Sequence, residues 1–253
     1  MQNLSLSLIS GIAIGGTAAY LGCLMLSRRM ALVAGPLGHL SLPGIALALI
    51  WGIDVSIGAF PFVIIGVILI WLLEMKTRLP MEALTAVVFA SGVAIAFLFL
   101  PMGQAETALV GDISQANLSG TAITVLASLA IVWILKKTYP RMILGNISEE
   151  LAAAEGFDTR PYNFIYLFLV AVIVALGVKM VGGLLTAALV AIPPSAARNL
   201  ARNLRQYILW SVVIGAGSAL LGIVLSQITG YPAGPLVILV STLVFLCSLP
   251  FSR

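Results

Sequence analysis

The chain has 253 residues, of which 61% are hydrophobic and only 9% charged, where a typical soluble domain carries about 25% charged residues. That balance excludes an ordinary soluble enzyme or binding module and describes a polytopic membrane protein. The net charge of +4 does not imply nucleic acid as a partner, because the basic residues fall in short clusters between apolar runs and read as topology signals.

A spanning helix needs about 20 largely apolar residues, fewer where it is broken or shielded by neighbours. On that rule nine segments are expected, at 4–26, 38–51, 55–73, 82–100, 118–135, 162–180, 182–196, 207–227 and 235–250. The prediction is an all-α membrane helical bundle in which two spans are short or broken, forming a single transmembrane domain over 1–253. Met1-Gln2-Asn3 offers no basic start for a cleavable signal, and Tyr20-Leu21-Gly22-Cys23 matches a lipoprotein cleavage site only loosely, so the first segment is read as a retained span. Cys23 and Cys247 are far apart in apolar stretches and suggest packing residues rather than a disulfide or a CxxC site.

The second segment lies in Ala34–Trp51, AGPLGHLSLPGIALALIW, which sets the sole histidine, His39, among Pro36, Gly38, Pro43 and Gly44. Proline deletes a backbone donor and glycine weakens a helix, so a broken helix is predicted. Irregular backbone at membrane depth is tolerated where it is buried in protein or lines a watery cavity, which marks this stretch as a candidate solute path. His39, Ser41, Pro43 and Gly44 are the residues that would line it, although a serine here also commonly bonds back to its own helix. Asp54 suits the N-cap of the third span.

Basic residues recur in every second connection: Arg28 and Arg29; Lys76 and Arg78; Lys136, Lys137, Arg141 and Arg160; Arg198, Arg202 and Arg205. Cytoplasmic loops carry the lysine and arginine excess, so these loops are predicted inside, the N-terminus outside and the C-terminus inside. Lys179 dissents, and is expected to snorkel from the outer end of the sixth span. The remaining connections, with Asp54, Glu106 and Asp112, are predicted outside, where Glu106 and Asp112 would meet an arriving cation or Asp112 would cap the fifth span.

The inner loop 138–160 is the longest and has a helix signature: Ser148 to cap, Glu149 and Glu150 in the first turn, Leu151 to Ala154 as helix formers and Gly156 to stop it. A helix this short needs a partner, so it is read as a docking element. The seventh segment, VGGLLTAALVAIPPSA over 181–196, is predicted to end at Pro193-Pro194. A long span followed by a short proline-bearing one thus occurs twice in opposite directions, the pattern of an inverted repeat whose interrupted segments flank a transport route. Gly182, Gly183, Gly215, Gly217 and Gly222 read as points of close helix approach.

These stretches resemble the permease subunits of the metal-type ABC importers, which take up zinc, manganese or iron. The likeness lies in Arg29-Met30-Ala31-Leu32-Val33 leading into His39-Leu40-Ser41-Leu42-Pro43-Gly44, in Leu109-Val110-Gly111-Asp112, in Val181-Gly182-Gly183-Leu184-Leu185 through Ile192-Pro193-Pro194-Ser195-Ala196-Ala197-Arg198, and in Pro232-Ala233-Gly234-Pro235. The resemblance implies a type II ABC importer-like fold in the cell membrane and a homodimer of permease chains. It further implies an extracytoplasmic metal-binding protein and a cytoplasmic ABC ATPase that carries the ATP and magnesium. This chain would bind no cofactor itself; the divalent metal is its substrate, touched transiently by His39 and Asp112, with Pro193 and Pro194 beside the route. Glu149, Glu150, Leu151, Ala152, Ala153, Ala154, Glu155 and Gly156 stand where the family's coupling helix meets the ATPase. No GxxxxGK[ST] sequence occurs, so ATP hydrolysis is assigned to another protein and the chain is not itself an enzyme.

One departure is chemical. Family members usually carry an aspartate four residues before the histidine, and Gly35 stands there in this chain. A lone imidazole is a weak site for zinc, manganese or iron, which leaves room for a rival cargo such as an iron chelate or a cobalamin-like compound. A secondary transporter is the rival from another class, and it would need a buried ionisable coupling residue that, apart from His39, the spans lack.

Overall fold

The computed structural model describes residues 2–27, 34–53, 55–77, 79, 81–99, 117–147, 160–181 and 183–251. Among them there is no strand; the helices are α1 (Gln2–Ser27), α2 (Ala34–His39), α3 (Leu42–Trp51), α4 (Val55–Lys76), α5 (Met81–Phe99), α6 (Leu118–Ile147), α7 (Arg160–Val181), α8 (Gly183–Leu200), α9 (Leu204–Thr229) and α10 (Ala233–Ser248), followed by a 3-10 turn at Leu249–Phe251. Each apolar segment expected from the sequence falls on helix over its described residues, except 38–51, which is divided between α2 and α3. Five of these helices are long and apolar enough to cross a membrane by themselves, within 4–27, 57–76, 118–139, 204–229 and 233–251.

Burial sorts the helices into hub and rim. In α1, 78% of the apolar window is buried inside the bundle, against 22% in α10, so α1 is the central post and α10 a peripheral helix. α7 shares the centre: Leu167, Val170, Ala171, Ile173 and Val174 are all fully buried. α1 packs against α6, α7, α8 and α9, while α4 packs against α3, α5 and α7. An apolar helix in lipid gains little from hydrophobic burial against another, so close approach through small residues and interhelical hydrogen bonds must hold the bundle. Both are present. Gly15 and Gly215 face each other where α1 crosses α9, each occupying the space where the other's side chain would meet a backbone carbonyl. Ser10 Oγ donates to Thr121 Oγ1 at 3.0 Å between α1 and α6.

The helix ends follow local chemistry. Asn203 caps α9 by accepting the Gln206 N–H through Oδ1 at 2.9 Å, and Gln206 Oε1 accepts the Arg202 N–H at 3.0 Å, a reciprocal cap of two otherwise orphaned donors. α3 and α9 stop at Gly52 (φ 66°) and Gly230 (φ 73°), left-handed positions that a glycine occupies without steric cost.

Two boundaries differ from the sequence expectation. The fifth segment does not end near 135: α6 runs unbroken through Lys136, Lys137 and Pro140 to Ile147. Its extension is held by burial of Tyr139 and Met142, Tyr139 stacking at 6.2 Å on Tyr20 of α1. The part of the 138–160 loop up to 147 is therefore helix continuous with α6, and the proposed docking helix at 149–156 lies outside the described residues. Nor does the seventh segment end at Pro193-Pro194. α8 continues through both prolines to Leu200, because it is enclosed by α1, α2, α7, α9 and α10 and this packing outweighs the lost amide donors.

Candidate functional site

The predicted break is present and has a simple cause. An α-helix running through residue 43 would need its N–H to bond the carbonyl of residue 39; proline has no N–H, and its ring crowds that carbonyl. α2 accordingly ends at His39 and α3 begins at Leu42, with Pro43 in its first turn. Between them the Leu40 N–H bonds Pro36 O at 3.1 Å and the Ser41 N–H reaches Gly38 O at 3.4 Å. Ser41 Oγ donates to that same Gly38 carbonyl at 2.6 Å, so this buried serine stitches the turn. Pro43 thus has no N–H to return to the His39 carbonyl.

The surroundings lock the bend on three sides. Leu40 is a buried knob whose side chain occupies the spaces at Gly66 of α4 and Gly92 of α5, where added Cβ atoms would strike its methyl carbons. Gly44 and Gly58 press backbone to backbone where α3 meets α4, each lying against the other's carbonyl oxygen. The half-buried His39 ring lies 5.3 Å from the ring of Phe89 on α5, at an interplanar angle of 49°. Leu40, Gly58, Gly66, Gly92 and Phe89 carry no chemistry in the sequence, and only the fold reveals that they set the bend.

The two proline-bearing segments come together, for α2 packs against α8. Pro193 and Pro194 are buried in α8, and Pro194 abuts α1 at Gly22. The Val190 carbonyl, one turn before Pro194 and deprived of its helical donor by it, is directed at Gly22. Glycine lets the α1 backbone lie directly on that carbonyl, an arrangement of the Cα–H···O kind common at helix interfaces. Gly215 and Gly222 are likewise at close approaches, to Gly15 and Val237, whereas Gly217 meets nothing within 4 Å.

The structure therefore gathers His39, Ser41, Pro43 and Gly44 at one bend, next to the helix that carries Pro193 and Pro194. Asp54, Glu106, Asp112 and Glu149 to Gly156 lie outside the described residues, as does the Lys179 side chain. Among the described residues no three His, Cys, Asp or Glu side chains converge as a metal cage. The bend offers one imidazole, suited to passing contact rather than to resident metal.

Known proteins place this architecture. The model of the ABC 3 transport family matches residues 1–252. The manganese import system permease protein ScaB of Streptococcus gordonii is 26% identical over 246 residues, spanning 96% of this chain and 88% of that protein. The high-affinity zinc uptake system membrane protein ZnuB of Haemophilus influenzae is 26% identical over 249 residues, spanning 96% and 95%. In the solved structure of PsaBC from Streptococcus pneumoniae in complex with Fab, one chain superimposes with a TM-score of 0.84 at 25% identity, covering 98% of this chain and 91% of that one. With a family match over essentially its whole length and the same helical fold, the chain belongs to the ABC 3 transport family of membrane permeases.

Proposed function

We propose that the chain is the membrane permease of an ATP-driven importer of a divalent transition metal, manganese or zinc before iron. The observation that carries this reading is its end-to-end similarity to manganese and zinc permeases, coupled to the bent α2–α3 segment that holds the sole histidine. The metal is handed over by a binding protein on the outer face and passes the His39 bend. A partner ATPase acting on residues 149–156 then shifts the helices around it. Two copies of the chain form the permease, with the N-terminus outside and the C-terminus inside. Weak ligation fits this role, since a transport route must release what it receives.

The test is uptake by the chain reconstituted in liposomes with its ATPase and binding protein. With isotopic manganese or zinc, a His39→Ala variant is expected to transport on the order of tenfold less, the scale of losing ~1.4 kcal/mol of contact, while still assembling with the ATPase. Wild-type rates in that variant would remove His39 from the route. Stimulation of ATP hydrolysis by a loaded chelate, with none by either free metal on its binding protein, would transfer the assignment to chelate cargo, which the glycine at position 35 permits.

A further inference from the structure

At one end of the bundle the C-termini of α1 and α8 meet the N-terminus of α9, and Arg198, Arg202 and Arg205 fall there. Two cavities open at this end. The first, of about 440 Å³, is lined by Ser27, Arg198, Arg202, Asn203, Leu204 and Tyr207 among others. The second, of about 660 Å³, is lined by Asn199, Pro250, Phe251 and the same two arginines. Both are of the size that holds small ligands.

Positive charge at the end of a span would fix topology without any hollow. What the fold adds is a pair of concavities that share two guanidinium groups. Among the described residues no carboxylate lines either one. A hydrogen-bonding group stands beside the arginines, for Asn203 commits its Oδ1, not its amide nitrogen, to the α9 cap. Because Leu204 opens α9, the positive end of that helix dipole borders the first hollow as well. The second hollow has a fixed wall, since Asn199 Nδ2 donates to Ser248 Oγ at 2.9 Å and ties α8 to α10.

The apolar surface next to this charge decides the ligand. Leu204, Leu209 and Trp210 on α9 are 48%, 61% and 43% exposed, and Phe251 below α10 is 64% exposed. A soluble anion would use only the arginines. A phosphate group carrying acyl chains uses both, and arginine pockets at the membrane boundary bind such headgroups, with tryptophan at headgroup depth. We infer that Arg198 and Arg202 form a binding site for an anionic phospholipid headgroup, whose acyl chains lie along α9 and α10. In the proposed orientation this is the inner leaflet; the site itself does not depend on that orientation.

The permease purified with its ATPase, stripped of lipid and titrated with phosphatidylglycerol under native mass spectrometry, tests this. The complex should retain phosphatidylglycerol over phosphatidylcholine of identical chains. Retention should fall about tenfold or more in R198Q/R202Q, the scale expected for two basic groups at a lipid surface. It should be unchanged in K136Q/K137Q, which removes the same charge elsewhere. Equal loss in the two double variants would reduce the effect to bulk charge and overturn the site. Undiminished retention in R198Q/R202Q, or displacement of the lipid by millimolar inorganic phosphate, would also overturn it. Loss of the ATPase from R198Q/R202Q with lipid retention intact would reassign the arginines to protein docking. Should the double variant not fold, the single variants R198Q and R202Q are each expected to show part of the fall.

Discussion

At the scale of single residues, the decisive positions are those where one helix backbone rests on another. Gly22 is the sharpest case, because a Cβ there would overlap the Val190 carbonyl and crowd the Pro194 ring. Gly22→Leu is expected to destabilise the purified chain by about 1–3 kcal/mol or more, the range for overpacking a filled interior, read as a drop in the thermal midpoint of the detergent-solubilised protein. Gly217→Ala is the matched control. Its added methyl meets nothing within 4 Å, and alanine favours helix over glycine by roughly 0.8–1.0 kcal/mol, so its midpoint should hold or rise. The sequence expectation grouped Gly217 with Gly215 and Gly222 because spacing along one helix does not say which face meets a neighbour. The place of His39, by contrast, was legible: the prolines and glycines around it predict an interrupted helix, and α2 ends at His39. Its Phe89 contact was not legible, because aromatic side chains populate every apolar span.

At the scale of elements, the α2–α3 bend and the continuous α8 show what proline does and does not dictate. Both segments carry prolines, yet only the first breaks. Pro43 falls where the chain already has Gly38 and Gly44 close by, and Leu40 is drawn into the hollows at Gly66 and Gly92. Pro193 and Pro194 sit in a helix enclosed on nearly all sides. Sequence reports the lost donor; whether packing compensates is a property of the neighbours. The length of α6 was hidden for a related reason, since Lys136, Lys137 and Pro140 mark the end of the apolar run and not of the helix. Lys137 lies 4.0 Å over the Trp133 ring, a cation–π contact that keeps its charge on the helix surface. If the Leu40 knob holds the bend, Leu40→Ala should cost about 2–5 kcal/mol through the cavity left behind. Metal uptake should then fall more than the loss of folded protein accounts for, checked by uptake per unit of assembled complex. Uptake that simply tracks protein level would leave Leu40 a core residue and no more.

For the whole molecule, the hydropathy pattern carried most of the architecture, because a membrane makes every crossing helical and apolar. The charge pattern proposes an orientation, and that is open to direct measurement. Cys23 is buried and Cys247 exposed, so a Cys247→Ser background is expected to be silent to thiol reagents. In it, a cysteine placed at Asp112 should react in intact cells with a membrane-impermeant maleimide, and one placed at Glu150 should react only after the membrane is opened. The reverse pattern would invert the topology and with it the direction of the proposed import.

The paired glycines at 44 and 58 also bear on how this protein could change over generations. Most tight contacts between side chains can be repaired from either side, one residue shrinking as the other grows. Here both partners are already the smallest residue available, and each meets the other's carbonyl oxygen, so neither has anything left to give up. A genetic selection for suppressors of Gly44→Ala should therefore return true revertants or changes that displace α3 bodily, and no second substitution at Gly58.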